Sequence, residues 1–445
     1  MARRRLGWLL FVGACLAPAV AHADNFEEFG FGARAQGMGG AQTAVADDGS
    51  ATYYNPGGLV LSKDLKLTFG LSFADYQLKF DSQRGGALDD AAERISDLSA
   101  FTLGISATIP IDIPDRLAIG IGLFLPTRGI IKIDAKAVTN EPEFFRYGSR
   151  HDRIHILASL AVKVTDWLSF GAGASVLTDA AGGTTLSAGL ATPVDPSFKI
   201  GLEPDAGAVV GVRLAPTEWL AFGLTYRSEV SLELEFDAVA NLQGINVPLN
   251  LQSISFFSPH QIQFGAAFYA SEALLLTFDF SWVNWSAYDD PFLRVETGVP
   301  TATAQQDFDL DDVVSPKLGV EFMAMDWLAL RGGYWFRNSA VPDQDNELTN
   351  LADGSKHVLT LGVGMKFGQS PPPAETDGEA EESAEGGEAQ TFGQAVDRAK
   401  VDVDLFFQYH FHPEVSVTRP ATDAIGSWDA GGSIVNFGIQ ITAKF

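Results

Sequence analysis

A short element recurs along this chain at an interval that leaves few folds open. KDLKLTFGLSF begins at Lys63, DRLAIGIGLFL at Asp115, DWLSFGAGASV at Asp166, EWLAFGLTYRS at Glu218, EALLLTFDFSW at Glu272 and DWLALRGGYWF at Asp326. The leucines stand at 65, 117, 168, 220, 274 and 328, with successive differences of 52, 51, 52, 54 and 54. Such an interval holds two strands of about ten residues, one tight turn and one long loop. Each unit therefore reads as a hairpin.

The pattern inside each unit agrees. Leu220, Phe222, Leu224 and Tyr226 share one face, opposite Ala221, Gly223, Thr225, Arg227 and Glu229, which is the period of a strand with two unlike faces. VDVDLFFQYHFH, from Val401, supplies a seventh strand of this kind. The C-terminal IVNFGIQITAKF alternates again, with Val435, Phe437, Ile439, Ile441, Ala443 and Phe445 on one parity and only Ile434 on the wrong side. Short turns such as VTD and MAMD mark one end of the hairpins, and loops of roughly 20 residues the other, as in outer-membrane barrels. A soluble sandwich also alternates, but its two ends carry comparable loops. Trp167, Trp219 and Trp327 fall at the short-turn end, where an interfacial aromatic girdle would lie. Seven hairpins predict an all-β fold, a 14-stranded antiparallel transmembrane β-barrel closed by the last strand so that no edge meets hydrocarbon.

Composition narrows the setting. A formal net charge of −26 excludes nucleic acid as a partner, because binding phosphates needs a basic surface. Residues 1–23 carry three arginines, an apolar run from Leu6 to Ala14, and Ala21 and Ala23, the layout of a secretory signal cut before Asp24. Cys15, the single cysteine, lies inside that signal, so stability does not rest on disulfides. No later stretch reaches the roughly 18 apolar residues of a spanning helix. The expected location is the bacterial outer membrane, with both chain ends in the periplasm. Within residues 369–395, QSPPPAETDGEAEESAEGGEAQ has seven acidic residues and no basic one. It reads as a disordered periplasmic insertion or as a docking site for a periplasmic partner.

Residues 24–62 precede the barrel, 63–445, and are rich in glycine and alanine without strand alternation. Small residues suit a plug, or hatch, packed in the lumen, and the competing view is a flexible periplasmic leader. FGFGARAQGMGGAQTAVADDGSATYYNPGGL resembles the N-terminal hatch of the outer-membrane long-chain fatty-acid transporter family, which includes channels for toluene and other hydrocarbons. YASEALLLTFDFSWVNWSAYD and SPKLGVEFMAMDWLALRGGYWFRNSAVPD resemble that family's later hairpins. The family's Asn-Pro-Ala turn stands here as Asn55-Pro56-Gly57. The resemblance implies a hatch-plugged barrel that captures hydrophobic molecules outside, binds them within and releases them sideways through a gap at a kinked third strand. That strand, RLAIGIGLFLP, offers Gly120, Gly122 and Pro126 as kink formers, although the glycines would equally serve packing against the hatch.

Parity places Arg213, Arg227, Glu229, Asp279, Lys317, Glu321 and Arg331 on inner faces. A fatty-acid carboxylate would seek Arg331, Lys317 or Arg227, whereas lumenal charges commonly pair with one another or with a plug. The extracellular FDAVANLQGINVPLNLQSISFFSP is apolar for a loop, and Leu242, Ile245, Leu249, Leu251, Phe256 and Phe257 are candidates for a collecting groove. Contact with lipopolysaccharide or self-packing would use the same residues. His410 and His412 share a face but lack a third ligand at metal spacing, so neither a metal nor another cofactor is expected. The expected function is uptake of long-chain fatty acids by a monomer, with hydrocarbon uptake as the alternative. A lipid-hydrolysing barrel and a non-selective porin are the rivals from other classes, though no G-x-S-x-G elbow occurs.

Overall fold

The computed structural model describes residues 25–82, 100–111, 116–126, 143–144, 146–147, 154–185, 187–188, 197–242, 245–288, 294–297, 310–342, 351–368, 400–420 and 426–445. The expected signal and the acidic insertion lie outside the described residues. Fourteen strands close on themselves in chain order. They are β1 (Lys66–Ser82), β2 (Ala100–Ile111), β3 (Leu117–Pro126), β4 (His155–Thr165), β5 (Leu168–Thr185), β6 (Ser197–Thr217) and β7 (Leu220–Arg227). The second half comprises β8 (Gln261–Ser271), β9 (Leu274–Val283), β10 (Val313–Met325), β11 (Leu328–Arg337), β12 (Lys356–Phe367), β13 (Lys400–Val417) and β14 (Trp428–Lys444).

The C-terminal alternation closes the ring. Every residue of β1 pairs with β14, from Lys66 opposite Lys444 to Ser82 opposite Trp428, and Leu65 and Phe445 exchange backbone hydrogen bonds of 3.2 and 2.9 Å beyond them. Phe437, Ile439 and Ile441 are exposed to the lipid side, while Asn436, Gln440 and Thr442 are buried inside. Ile434, the exception to the parity, points inward and packs in a cluster with Tyr76, Leu78, Phe80 and Trp428. Its apolar character is thus a core requirement rather than a lipid one.

At the short-turn end the hairpins reverse over Asp166-Trp167, Glu218-Trp219, Glu272-Ala273 and Asp326-Trp327, each beside a register shift that tightens the turn. Trp167, Trp219 and Trp327 are about half exposed, at 49, 52 and 48%. Their carbonyls accept hydrogen bonds from the next strand at Ala215, Tyr269 and Lys366, so the rings are held by the sheet at the height of the interface.

Two expectations change. The apolar extracellular stretch is a hairpin, Val230–Leu242 against Ile245–Ser258, extended into a four-stranded sheet by Arg294–Thr297 and Ser187–Ala188. Leu242 pairs with Ile245, and Leu249 and Leu251 lie opposite Ala238 and Phe236. Phe256 and Phe257 are not exposed: Phe256 is buried with Leu177 and Val230, and Phe257 with Val283, Trp285 and Tyr288. The third strand is not interrupted either. β3 pairs with β2 without a shift from Leu117 to Pro126, and with β4 from Leu117 to Phe124. Gly120 and Gly122 make room for the plug, since a Cβ at Gly120 would lie 2.6 Å from the Leu59 and Thr52 side chains and one at Gly122 would lie 3.1 Å from Thr52. Pro126 ends the strand, where a missing N–H costs the ladder nothing further.

Candidate transport path: hatch and lumen

Residues 25–61 form three short helices, α1 (Asn25–Phe29), α2 (Ala33–Gly37) and α3 (Ala51–Tyr54), and a 3₁₀ turn, Pro56–Leu61. They are too short to be stable alone, and their burial supplies what helix propensity does not. Alanine and glycine let the backbone approach the wall. α2 lies against β12 and β13, and a Cβ at Gly37 would sit 3.0 Å from Gly362 Cα. Gly39, at φ +66°, faces the Leu318 carbonyl, which a Cβ would approach to 2.9 Å, so both its conformation and its surroundings require glycine.

Asn55 organises the turn that the sequence singled out. Fully buried, it donates from Nδ2 to the Thr43 carbonyl at 2.8 Å and to the Val212 carbonyl of β6 at 2.9 Å, while its Oδ1 accepts from Gly57 N at 3.0 Å. Pro56 supplies the preset φ of a helix start, and the Gly57 carbonyl accepts from Ser169 Oγ at 2.6 Å. One side chain therefore joins two parts of the hatch to the barrel.

The inward charges largely serve this joint. Arg213 donates to the Ala44 carbonyl, and Asp279 accepts from Gln42 N, Thr43 N and Thr43 Oγ1 at 3.0, 2.9 and 2.6 Å. Arg331 donates to Glu321 at 2.6 Å and to Asp404 at 2.5 Å, and Glu321 in turn binds Arg34 of α2 at 2.8 Å. Arg34 continues to Asp47, which also pairs with Lys66 of β1 at 3.4 Å. Arg227 covers the Tyr53 ring, 4.0 Å from its centroid, and donates to the Tyr53 carbonyl and to Gln261. Lys317 differs from these two candidates: among the described residues it makes no ion pair, and its Nζ lies 5.6 Å from the Trp335 ring.

A second charged cluster, around α1, lay beyond the sequence reading. Arg146 binds Glu27 at 2.6 Å, Glu28 at 3.3 Å and Asp353 at 3.3 Å; Arg337 binds Asp353 at 2.9 Å and Glu28 at 3.4 Å; Lys356 pairs with Glu28. Tyr147 donates to Glu28 at 2.9 Å. Burial alone would raise the Glu28 carboxyl, but Arg337, Lys356 and Arg146 together hold it well below its ordinary 4.5. Arg337 and Lys356 were within reach of the parity argument, since they share the inward faces of Arg331 and Thr360, whereas Arg146 lies between strands where no period operates.

Between the hatch and the β1–β14 side of the wall lies a cavity of about 60 Å³. Phe29, Phe31, Phe124, Phe406 and Ala74 give it an apolar surface, Thr68, Ser72, Asn436 and Gln440 give it neutral polar groups, and among the described residues Asp48 is its single charged lining residue. Leu71 and Ile439, cross-strand partners on the lipid-facing parity, border it too.

The chain matches the family model for outer membrane protein transport proteins (OMPP1/FadL/TodX) over residues 13–371. It is 24% identical over 343 residues to alkane uptake protein A of Marinobacter nauticus, covering 72% of this chain and 74% of that protein. A Pseudomonas aeruginosa FadL homologue superposes with a TM-score of 0.58 at 15% identity, covering 96% of this chain and 99% of the other. The P. putida toluene transporter TodX gives 0.58 at 15% identity over 94 and 99%. A plugged fourteen-strand barrel with an apolar cavity, matched by that model over most of its length, has one assignment: the chain belongs to the OMPP1/FadL/TodX family of outer-membrane transport proteins, a channel for hydrophobic compounds and not an enzyme.

Proposed function

We propose that this channel takes up neutral hydrocarbons, alkanes or monoaromatics, in preference to long-chain fatty acids. The observation that carries this reading is the lining of the cavity between the hatch and β1–β14, which among the described residues has aromatic rings and neutral polar groups, no cation, and one carboxylate, Asp48. A fatty-acid head group would meet repulsion there instead of the Arg or Lys it needs. Two of the three cations expected to greet a carboxylate, Arg331 and Arg227, already bind the barrel and the hatch. The names of the relatives, alkane uptake protein, toluene transporter and monoaromatic hydrocarbon channel, point the same way.

The route we propose begins at the extracellular sheet built on Val230–Leu242 and Ile245–Ser258 and passes to the cavity. We place its exit on the β1–β14 side, where Leu71 and Ile439 border the cavity; that seam is fully paired, so release requires the wall to part there, after which an oily solute reaches hydrocarbon without crossing water. The test is parallel uptake of labelled hexadecane, toluene and oleate by cells that lack their own transporters and express this chain. Hydrocarbon uptake well above oleate uptake is expected, and oleate uptake alone would overturn the reading. Lys317→Ala should leave hydrocarbon uptake within about twofold, because a neutral solute gains little from an ammonium group.

A further inference from the structure

One polar construction occurs twice on the outside of the barrel. His260, immediately before β8, and His357, on β12, are the outward residues next beyond the exposed apolar rows that start at Ile262 and Leu359. Both lie at the end of their strands opposite the tryptophan turns. Each imidazole lies on the ring of an outward tyrosine of the preceding barrel strand. His260 and Tyr226 have centroids 5.9 Å apart at 15°, and His357 and Tyr334 have centroids 6.2 Å apart at 28°.

The hydrogen bonding repeats as well. The Tyr226 hydroxyl meets His260 Nδ1 at 2.9 Å, and the Tyr334 hydroxyl meets His357 Nδ1 at 2.8 Å. At His260 the Glu229 N–H also donates to Nδ1, at 3.2 Å, which makes that nitrogen the acceptor and leaves the ring proton on Nε2. The Glu229 carboxylate stands 3.9 Å from His260 Nε2, too far for a hydrogen bond. At His260 the outcome is a directed Nε2–H at the height where the apolar band ends, on a face that meets lipid, and the Tyr334 hydroxyl, when it donates to Nδ1, leaves His357 the same proton.

We propose that His260 and His357 are two docks for the phosphorylated glycolipid of the outer leaflet, each giving its Nε2–H to a phosphate oxygen. Phospholipid phosphate is a chemically equal acceptor, but these residues occupy the extracellular end of the barrel, where the glycolipid forms the leaflet. The test uses the whole purified barrel in detergent and native mass spectrometry with lipopolysaccharide or phosphatidylethanolamine added. The double variant His260→Phe/His357→Phe keeps the aromatic bulk and should weaken glycolipid binding by roughly tenfold while leaving phosphatidylethanolamine unchanged, the effect of losing two donors to charged acceptors. Tyr226→Phe/Tyr334→Phe keeps every ring and removes only the hydroxyls that orient the imidazoles, so a smaller loss in the same direction is expected. Unchanged glycolipid binding in either folded double variant, or an equal loss of both lipids, overturns the proposal. Hydrocarbon uptake is not the readout, so this result and that of the uptake assay stand apart.

Discussion

The two ends of the hatch are held by different physics. From Gly37 to Gly58 the plug touches the wall backbone to backbone, through wall glycines such as Gly171, Gly211, Gly223 and Gly333 that would each drive a Cβ into it. α1, in contrast, is held by side chains alone, with Phe26 among Phe31, Tyr53 and Phe124 and with Glu27 and Glu28 set among Arg146, Arg337 and Lys356. Close-packed backbone has no second arrangement at low cost. Ion pairs do, provided that water or another anion replaces the lost partner. The contrast predicts that α1 lets go before the remainder, which acts as the wedge.

The largest effect should come from attacking the wedge. A Cβ at Gly171 would lie 2.6 Å from Pro56 Cβ and close against the Pro56–Gly57 backbone. Gly171→Val should therefore displace the plug, at more than the ~1–3 kcal/mol typical of overpacking. A heat-modifiable, inserted barrel that now conducts ions in a planar bilayer is the expected result. Normal uptake with no conductance would show that the wedge yields. Glu28→Gln attacks the other end. Removing one partner of a buried ion cluster costs about 3–5 kcal/mol. Hydrogen exchange should consequently rise across residues 25–31 and stay unchanged across residues 37–58. Equal changes in both would erase the distinction.

Acid sharpens the same contrast with a smaller effect. A carboxyl held below its ordinary value in the folded protein stabilises it fully above that value, and the contribution is lost as pH falls through the depressed one. Glu28, ordinarily at 4.5, is such a group. Asp47 is another, since burial raises it but Lys66 and Arg34 bring it below 3.8. Protection of α1 should therefore persist at about pH 5 and fall only in stronger acid. The glycine contacts do not titrate, so the wedge should remain protected after α1 is released. Simultaneous loss would mean that Asp47 and its partners hold the wedge more than its packing does.

What could be read in the sequence follows from the same distinction between periodic and non-periodic constraint. Strand number and the lipid face were legible because each hairpin repeats one pattern, from Leu65 to Leu328, and even Ile434 announced itself by breaking it. The Val230–Ser258 hairpin was not, because the repeat interval assigned it to a loop although Leu249 and Leu251 alternate with Asn250 and Gln252. Gly120 and Gly122 read equally as a bend or as close approach, and only Leu59 and Thr52 across the lumen decide for approach. For Arg331, sequence parity located the side chain but could not say that Glu321 and Asp404 would claim it, since those partners come from other strands.

The smallest effect concerns Gly57, in the Asn55-Pro56-Gly57 turn of the hatch. Alanine at position 57 would remove chain freedom from the unfolded state, worth about 0.4–1 kcal/mol where the native backbone accepts it. The new Cβ would meet Asn55 Oδ1 at 3.1 Å and the Arg213 nitrogen and Ser169 carbonyl of the wall at 3.2 Å. Those last two belong to paired strands and cannot retreat, so the turn itself must shift by a few tenths of an ångström. That shift strains the Ser169 bond to the Gly57 carbonyl and, through the turn, the Asn55 bonds to Thr43 and Val212. Gain and strain are of similar size, and Gly57→Ala should change stability by less than about 1 kcal/mol, read as the midpoint of urea unfolding in detergent. A loss several times larger would show that Asn55, rather than the glycine contacts around it, is what seats the wedge.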